Sequence, residues 1–416
     1  MHILILGAGV IGVTTAYELL NAGYKVTVID RQPEPALETS FGNAGLIAPG
    51  HSYAWTTPKL PGNLFKSLFQ KQRAFRFKFQ WDPAMWYWGI QFLRQCTHKN
   101  MAVNTLRKHR LCSYSQKCFH QLIDETNISY YENKKGLIYF FRSKESFLEG
   151  KQKLAMLKPV MNNLQLLNRT ELFQLEPALK GTKTEVFGGI YCSSDESGSC
   201  RDFTLSLVDI CKKNGATLTF NTSIQNIEND KRNIKKIITN KGNFQADKYV
   251  LACAAYSPFI AKMAGDYLPI YPVKGYSITV PIINYEKVPV HSGIDEDNLL
   301  AFSLLGDKIR FTSVAEISGY DATYTPSNFT EIVNLAESLF PNAFDFSKIE
   351  YWAGLRPMTP NGAPIFGTGK MGNLYFNTGH GHLGWTMCAG SAKITSHLIS
   401  GQKPELDLEG MTLTAA

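Results

Sequence analysis

The sequence has no CxxC pair, no long apolar run, and almost no acid across one stretch of sixty residues. Its eight cysteines, at 96, 112, 118, 192, 200, 211, 253 and 388, show no ligand-spaced set. That pattern argues against a disulfide framework or a structural zinc site and for ordinary reduced thiols. No stretch reaches the roughly eighteen uninterrupted apolar residues that a membrane-spanning helix requires. The opening MHILILGAGVIG enters a structured pattern at its second residue, where a signal peptide would place charge and then an apolar core. A soluble or peripheral cytoplasmic protein is therefore expected. With 416 residues, 44% of them hydrophobic, the chain can bury the cores of two or three domains.

The shortage of acid is local. The formal net charge is +8, yet residues 61–120 hold eleven Lys or Arg and one acid, Asp82. Within that window residues 63–93 interleave phenylalanines and three tryptophans with the cations, a mixture that suits a membrane surface better than a nucleic acid. Lys66, Lys71, Arg73, Arg76 and Lys78 are the cations expected to meet anionic lipid. Phe65, Phe69, Trp81, Trp86 and Trp88 are the aromatics expected to enter the interface.

What is present begins at the N-terminus. Residues 3–6 read as a strand, Gly7, Gly9 and Gly12 follow, and Val13, Ala16, Leu19 and Leu20 recur at helical spacing before Gly23. A second strand at 25–29 ends at Asp30, eighteen residues beyond the last glycine. The first two glycines permit a tight turn and close approach of a pyrophosphate. The third lets helix and strand pack, and the helix N-terminus offers free N–H groups. Ile3, Gly7, Ala8, Gly9, Val10, Ile11, Gly12, Asp30 and Arg31 are thus candidate dinucleotide contacts, with Asp30 accepting from a ribose hydroxyl. The next segment is a Pro, Gly and Ser/Thr-punctuated loop over residues 31–62, where a nicotinamide enzyme usually repeats strand and helix at once. Long loops in compact domains are usually functional, and "ETSFGNAGLIAPG", with Ser40, Asn43, Ala44 and Gly45, suits a flat hydrogen-bonding ring. FAD is favoured over NAD, held without a covalent bond.

Further along, residues 136–141 read as a strand and 144–160 as a helix. A helix starting near Asp202 leads to a strand at 217–220, a small meander and a buried strand at 249–255. Residues 271–351 are again rich in β-formers, with one helix at 331–339. The fold class is therefore α/β: a Rossmann-type FAD-binding domain (1–60, 190–270 and 350–416) with an inserted antiparallel-sheet, α+β substrate domain (61–189 and 271–349). Near the end, "TGHGHLGWTM" stands between a strand at 374–376 and a helix with Trp385, Cys388, Ala392, Thr395 and Ile399 on one face. Gly379, Gly381 and Gly384 let the backbone pass edge-on to a planar ring, and the helix aims its positive end there. His380, Gly381, Leu383 and Gly384 are candidate flavin contacts, His380 having a purely structural role as its alternative. The His380–His382 pair lacks a third ligand of recognisable spacing, so no metal is expected, and His382 reads as structural.

The stretches "ILGAGVIGV", "VTVIDRQPEPALETSFGNAGLIAPG", "YPVKGYSITVPI", "GLRPMTPNGAPIFG" and "NTGHGHLGWTM" are similar to those of the FAD-dependent amine oxidoreductases that include D-amino acid oxidase, glycine oxidase and sarcosine oxidase. The resemblance implies oxidation of D-amino acids, small apolar ones such as D-alanine favoured. A hydride passes from Cα to flavin N5, and the imino acid hydrolyses to a 2-oxo acid and ammonia. It further implies delivery of electrons to a quinone or other electron-transfer partner at the inner face of a bacterial inner membrane. An oxygen-using oxidase of glycine, sarcosine or another secondary amine is the alternative within enzymes, and a non-catalytic flavin-binding subunit the alternative of another class. On this resemblance Arg356 is the first choice for clamping the substrate carboxylate, Tyr276 the second candidate and Arg310 a weaker one. Phe41, Thr312, Ser313 and Asn361 depart from the family pattern, Thr312 and Ser313 near the expected substrate pocket.

Overall fold

The computed structural model describes residues 1–62 and 75–413. Among these, two main sheets face one another across a cavity. The smaller has six strands in the order Ile365–Thr368, Leu374–Thr378, Lys248–Leu251, His2–Leu6, Lys25–Ile29 and Thr217–Thr219. All neighbours pair parallel except the first two. Its central strands read as continuous apolar runs because both faces are covered. Helices Val10–Asn21, Cys200–Lys213 and Gly384–Ile399 pack on one side, and helix Ser257–Met263 with a three-stranded meander packs on the other.

Helix His98–Thr126 also belongs to this layer, which corrects its expected place in the substrate domain. It packs along Gly384–Ile399, where Gly390 leaves room for the Ser115 backbone: a Cβ at Gly390 would lie 2.7 Å from the Ser115 Cα. Leu111, Phe119 and Leu122 on its inner face are fully buried, each contributing about 1.5–3 kcal/mol.

The larger sheet has nine strands among the described residues. Eight run in the order Glu350–Met358, Tyr271–Pro281, Lys308–Ile317, Leu300–Leu305, Ser292–Asp295, Leu137–Phe141, Gly188–Cys192 and Leu164–Asn168, and Phe75–Phe77 pairs with Lys308–Ile317. Two expected boundaries move in consequence. Gly188–Cys192 and Glu350–Met358 are strands of this sheet, so the stretches 190–192 and 350–358 do not belong to the nucleotide-binding layer. Both are β-rich segments whose partners lie far away in sequence, a fact that local pattern does not carry.

Side chains alternate between the faces of this sheet. Ile278, Phe302 and Phe311 pack with Phe329 and Ile332 of the 326–339 segment. Gly275, Ala301 and Thr312 are on the cavity side. Among the described residues no helix is long and apolar enough to cross a membrane.

Candidate active site

The cavity has a volume of about 1080 Å³ and is lined by both sheets. At its nucleotide end the chain leaves strand His2–Leu6 through Gly7, whose φ is +111° and whose added Cβ would lie 2.6 Å from the Ala252 carbonyl oxygen. Only glycine fits there. Helix Val10–Asn21 then starts at Gly9, with the Val10 N–H donating to Ser40 Oγ at 3.0 Å and no acid in its first turn. Gly7, Gly9, Val10, Ile11, Asp30 and Arg31 line the cavity. The Asp30 carboxylate accepts from the N–H groups of Ala8 at 2.6 Å and Gln32 at 2.8 Å. Burial pushes the Asp30 pKa upward against those bonds. The Arg31 guanidinium lies 3.6 Å from the centre of the Tyr256 ring and pairs with Glu38.

Three expected contacts of this group take other roles. Ile3 is fully buried within the sheet, between Val26 and Lys248 in register, and does not reach the cavity. Ala8 is buried, its N–H already held by Asp30 and its carbonyl by Ala36. Gly12 stands where helix and strand touch, and a Cβ there would collide with the Gly7 carbonyl oxygen.

Further along, Ser40, Asn43, Ala44 and Gly45 line the cavity together with His380, Gly381, Leu383 and Gly384. Gly45 has φ +72°, and its Cβ would lie 2.8 Å from Ser303 Oγ. Helix Gly384–Ile399 begins with no side-chain cap and no acid in its first turn. Two helix N-termini thus face one elongated cavity, and glycines line it beside the second. That arrangement fits a long cofactor with one anionic group at the first helix and a flat ring bearing negative charge at the second.

His380 is buried, with Nε2 2.9 Å from Ser391 Oγ, and burial lowers its pKa to about 3. His382 stacks on Trp55 at 4.6 Å between ring centres, and burial with the nearby charges of Lys108 and Arg356 holds it neutral. The two histidines therefore serve different neighbours.

Arg356 reaches the cavity from strand Glu350–Met358. Its guanidinium lies over Gly275, where a Cβ would collide with it, and Nη1 donates to the Val314 carbonyl at 2.7 Å. Among the described residues no carboxylate lies within 4.0 Å of it, and burial lowers its pKa to about 10. A charged fork without a counter-ion, facing a cavity, is matched to a carboxylate ligand. Val314 carries φ +68°, a strained conformation for a β-branched residue, and it is this bulged backbone that turns its carbonyl toward Arg356.

The other two arginine and tyrosine candidates lie elsewhere. Tyr276 follows Gly275 on the same strand, so its side chain points to the opposite face. There it is fully buried against Phe329, with its hydroxyl 3.1 Å from Glu316, and the role expected for it at the carboxylate is corrected to packing. Arg310 does not line the cavity: Nε donates to Thr279 Oγ1 at 3.0 Å and Nη1 to the Asn43 carbonyl at 3.4 Å, bracing the flavin-side loop. Asn361 holds its own turn by accepting from Ala363 N–H and donating to the Gly410 carbonyl. Thr312 and Ser313 do line the cavity. So do His51, Tyr53, Trp55, Lys153 and Glu296, which the sequence reading did not single out. His51, Tyr53 and Trp55 follow directly on the "LIAPG" stretch, and that proximity was the available signal.

The model of the family described as FAD dependent oxidoreductase matches residues 2–398. The chain belongs to that family. FAD is accordingly its cofactor, and the residues lining the cavity fit it. A D-amino acid dehydrogenase of Azorhizobium caulinodans is 43% identical over 416 residues, covering 100% of this chain and 99% of the relative. D-amino acid dehydrogenase 2 of Mesorhizobium japonicum is 39% identical, covering 99% of each. Among solved structures, glycine oxidase from Geobacillus kaustophilus superposes with a TM-score of 0.76 at 19% identity, covering 100% of this chain and 98% of the other, a likeness of fold.

Proposed function

We propose that the protein oxidises D-amino acids to 2-oxo acids and ammonia, as a dehydrogenase. The observation that carries this reading is the unpaired Arg356 fork, placed over the cavity beside the 379–384 loop. Bound FAD supplies the hydride acceptor. The protein's own part is to position and to select. Arg356 holds the substrate carboxylate, and Trp55, Val314 and His382 line the cavity with it. His380 and His382, both held neutral, add no positive charge to oppose loss of hydride or binding of the neutral amine. Position and electrostatics of this kind supply most of the catalysis in hydride transfer. Anaerobic addition of D-amino acids is expected to bleach the flavin, with the L-enantiomers inert. Bleaching by glycine or sarcosine with peroxide formed in air would favour the oxidase instead, and no bleaching by any amine would favour a non-catalytic subunit.

The electron acceptor in this reading is a quinone, reached from an anionic membrane surface. Phe79, Trp81, Trp86, Tyr87, Ile90 and Leu93 are exposed on helix Pro83–Gln95 and the loop before it, Trp81 to 91%. A row of this kind at the surface matches the aromatic belts of interfacial proteins. Lys66, Lys71, Arg73, Phe65 and Phe69 lie outside the described residues. Three other members of the expected set are already engaged. Trp88 is buried and donates to the Met358 carbonyl, Arg76 pairs with Glu331, and Lys78 pairs with Glu316. The aromatic row, rather than Arg76 and Lys78, is therefore the part to test. Changing Trp81, Trp86 and Ile90 together to Ser is expected to abolish co-sedimentation with anionic vesicles while reduction of a soluble dye continues. Undiminished vesicle binding would remove this surface from the reading.

A further inference from the structure

At the end of the cavity away from the nucleotide motif, polar groups stand that the oxidation itself does not use. Glu296 follows strand Ser292–Asp295, its backbone N–H bonded to the Phe140 carbonyl at 3.0 Å. Its carboxylate is 2.5 Å from His51 Nε2 and 3.5 Å from the Lys153 ammonium. Burial disfavours the charged form, but the His51 and Lys153 charges outweigh it and lower the Glu296 pKa to about 2. His51 is itself fixed by stacking on Tyr139 at 4.8 Å. The carboxylate is thus ionised and paired. What remains unspent beside it are donors. Lys153, partly exposed, has one ion-pair contact for three N–H groups and stands 5.8 Å from the centre of the Tyr53 ring, and the Tyr53 hydroxyl is shielded from solvent without a hydrogen-bond partner. A buried hydroxyl left unpaired costs about 1–3 kcal/mol, and such a group lining a cavity points to a ligand.

The sheet sets the distance to Arg356. The guanidinium spans the strand Tyr271–Pro281 to reach Val314 on Lys308–Ile317, while Glu296 continues the strand two places further across. Two strand spacings are about 10 Å, a gap that one amino acid with a polar side chain can bridge. The Thr312 hydroxyl, also buried and without a partner, lines the cavity on that same strand as Val314. Gly275 and Ala301 leave the remaining floor low.

We propose that Tyr53 and Lys153 form a second polar subsite for the substrate, taking a hydrogen-bond acceptor oxygen, carboxylate or carboxamide, at the end of the amino acid's side chain. The His51–Glu296 pair positions Lys153, and the specificity follows from the unspent donors. This inference rests on the reading of the protein as a D-amino acid dehydrogenase, and it names which side chains it prefers beyond small apolar ones.

The test uses the flavin-loaded wild type, Tyr53→Phe, Lys153→Met and the double variant. First, kcat/KM is compared for D-glutamine and the near-isosteric D-methionine with a soluble dye. Second, glutarate and pentanoate, which cannot be oxidised here, are titrated against the flavin absorbance. The ratio of D-glutamine to D-methionine is expected to fall at least tenfold in the double variant, through KM. The preference for glutarate over pentanoate is expected to fall by a similar factor. Ratios that stay constant, or equal losses for both members of each pair, overturn the subsite. If the wild type oxidises neither amino acid yet prefers glutarate, and the variants lose that preference, the subsite stands and the oxidation reading fails.

Discussion

Replacing Arg356 by Leu is expected to raise KM for D-amino acids by at least about tenfold, with flavin content unchanged. A charge-assisted hydrogen bond is worth about 1.5–3 kcal/mol, and about 1.4 kcal/mol corresponds to one decade. Loss of even one arm of the fork therefore accounts for the factor. The flavin is expected to stay because Arg356 is bonded to Val314 of the larger sheet and not to the nucleotide-binding loops. Lysine at this position keeps the charge but lacks the planar fork, so Arg356→Lys should fall between. An unchanged KM in a fully flavinated Arg356→Leu protein would sink the clamp.

The second large effect is expected at Gly12, which touches no cofactor. A Cβ there would occupy the space of the Gly7 carbonyl oxygen, so helix Val10–Asn21 must shift away from strand His2–Leu6. Overpacking of this kind costs about 1–3 kcal/mol. The shift also displaces the helix N-terminus that faces the cavity. Gly12→Val is therefore expected to lose at least about tenfold in FAD affinity, which corresponds to roughly 1.4 kcal/mol. The ratio of flavin to protein absorbance after gel filtration reads this directly, and far-ultraviolet circular dichroism checks that the sheet is retained. Full flavin occupancy in the variant would show that the close approach is not needed.

Much of the nucleotide half was legible because its signals are local. Gly7, Gly9 and Gly12, the apolar spacing of the first helix and Asp30 after the second strand lie within thirty residues. Each is tied to its neighbours by turn geometry or helical period. The glycine loop at 379–384 and its helix could be read for the same reason. Ile3 and Ala8 belong to the motif in sequence, but the sheet buries one and Asp30 occupies the N–H of the other.

The substrate half was less legible because its residues meet across strands. Arg356 was found through a resembling stretch, but its lack of a carboxylate partner and its Val314 contact depend on a β-bulge. Tyr276 was misplaced because a side chain's face depends on strand register, and a one-residue step sends it to the other side of the sheet. The grouping of His51, Tyr53, Lys153 and Glu296 joins four positions spread over nearly two hundred and fifty residues. The sequence by itself determined the family, the nucleotide-binding motif and the alternation of strands and helices, since these rest on backbone conformation and short-range periodicity. Only the tertiary structure decided which polar side chains share the cavity, because pairing among the strands of the larger sheet, with partners distant along the chain, sets each one's face, depth and neighbours.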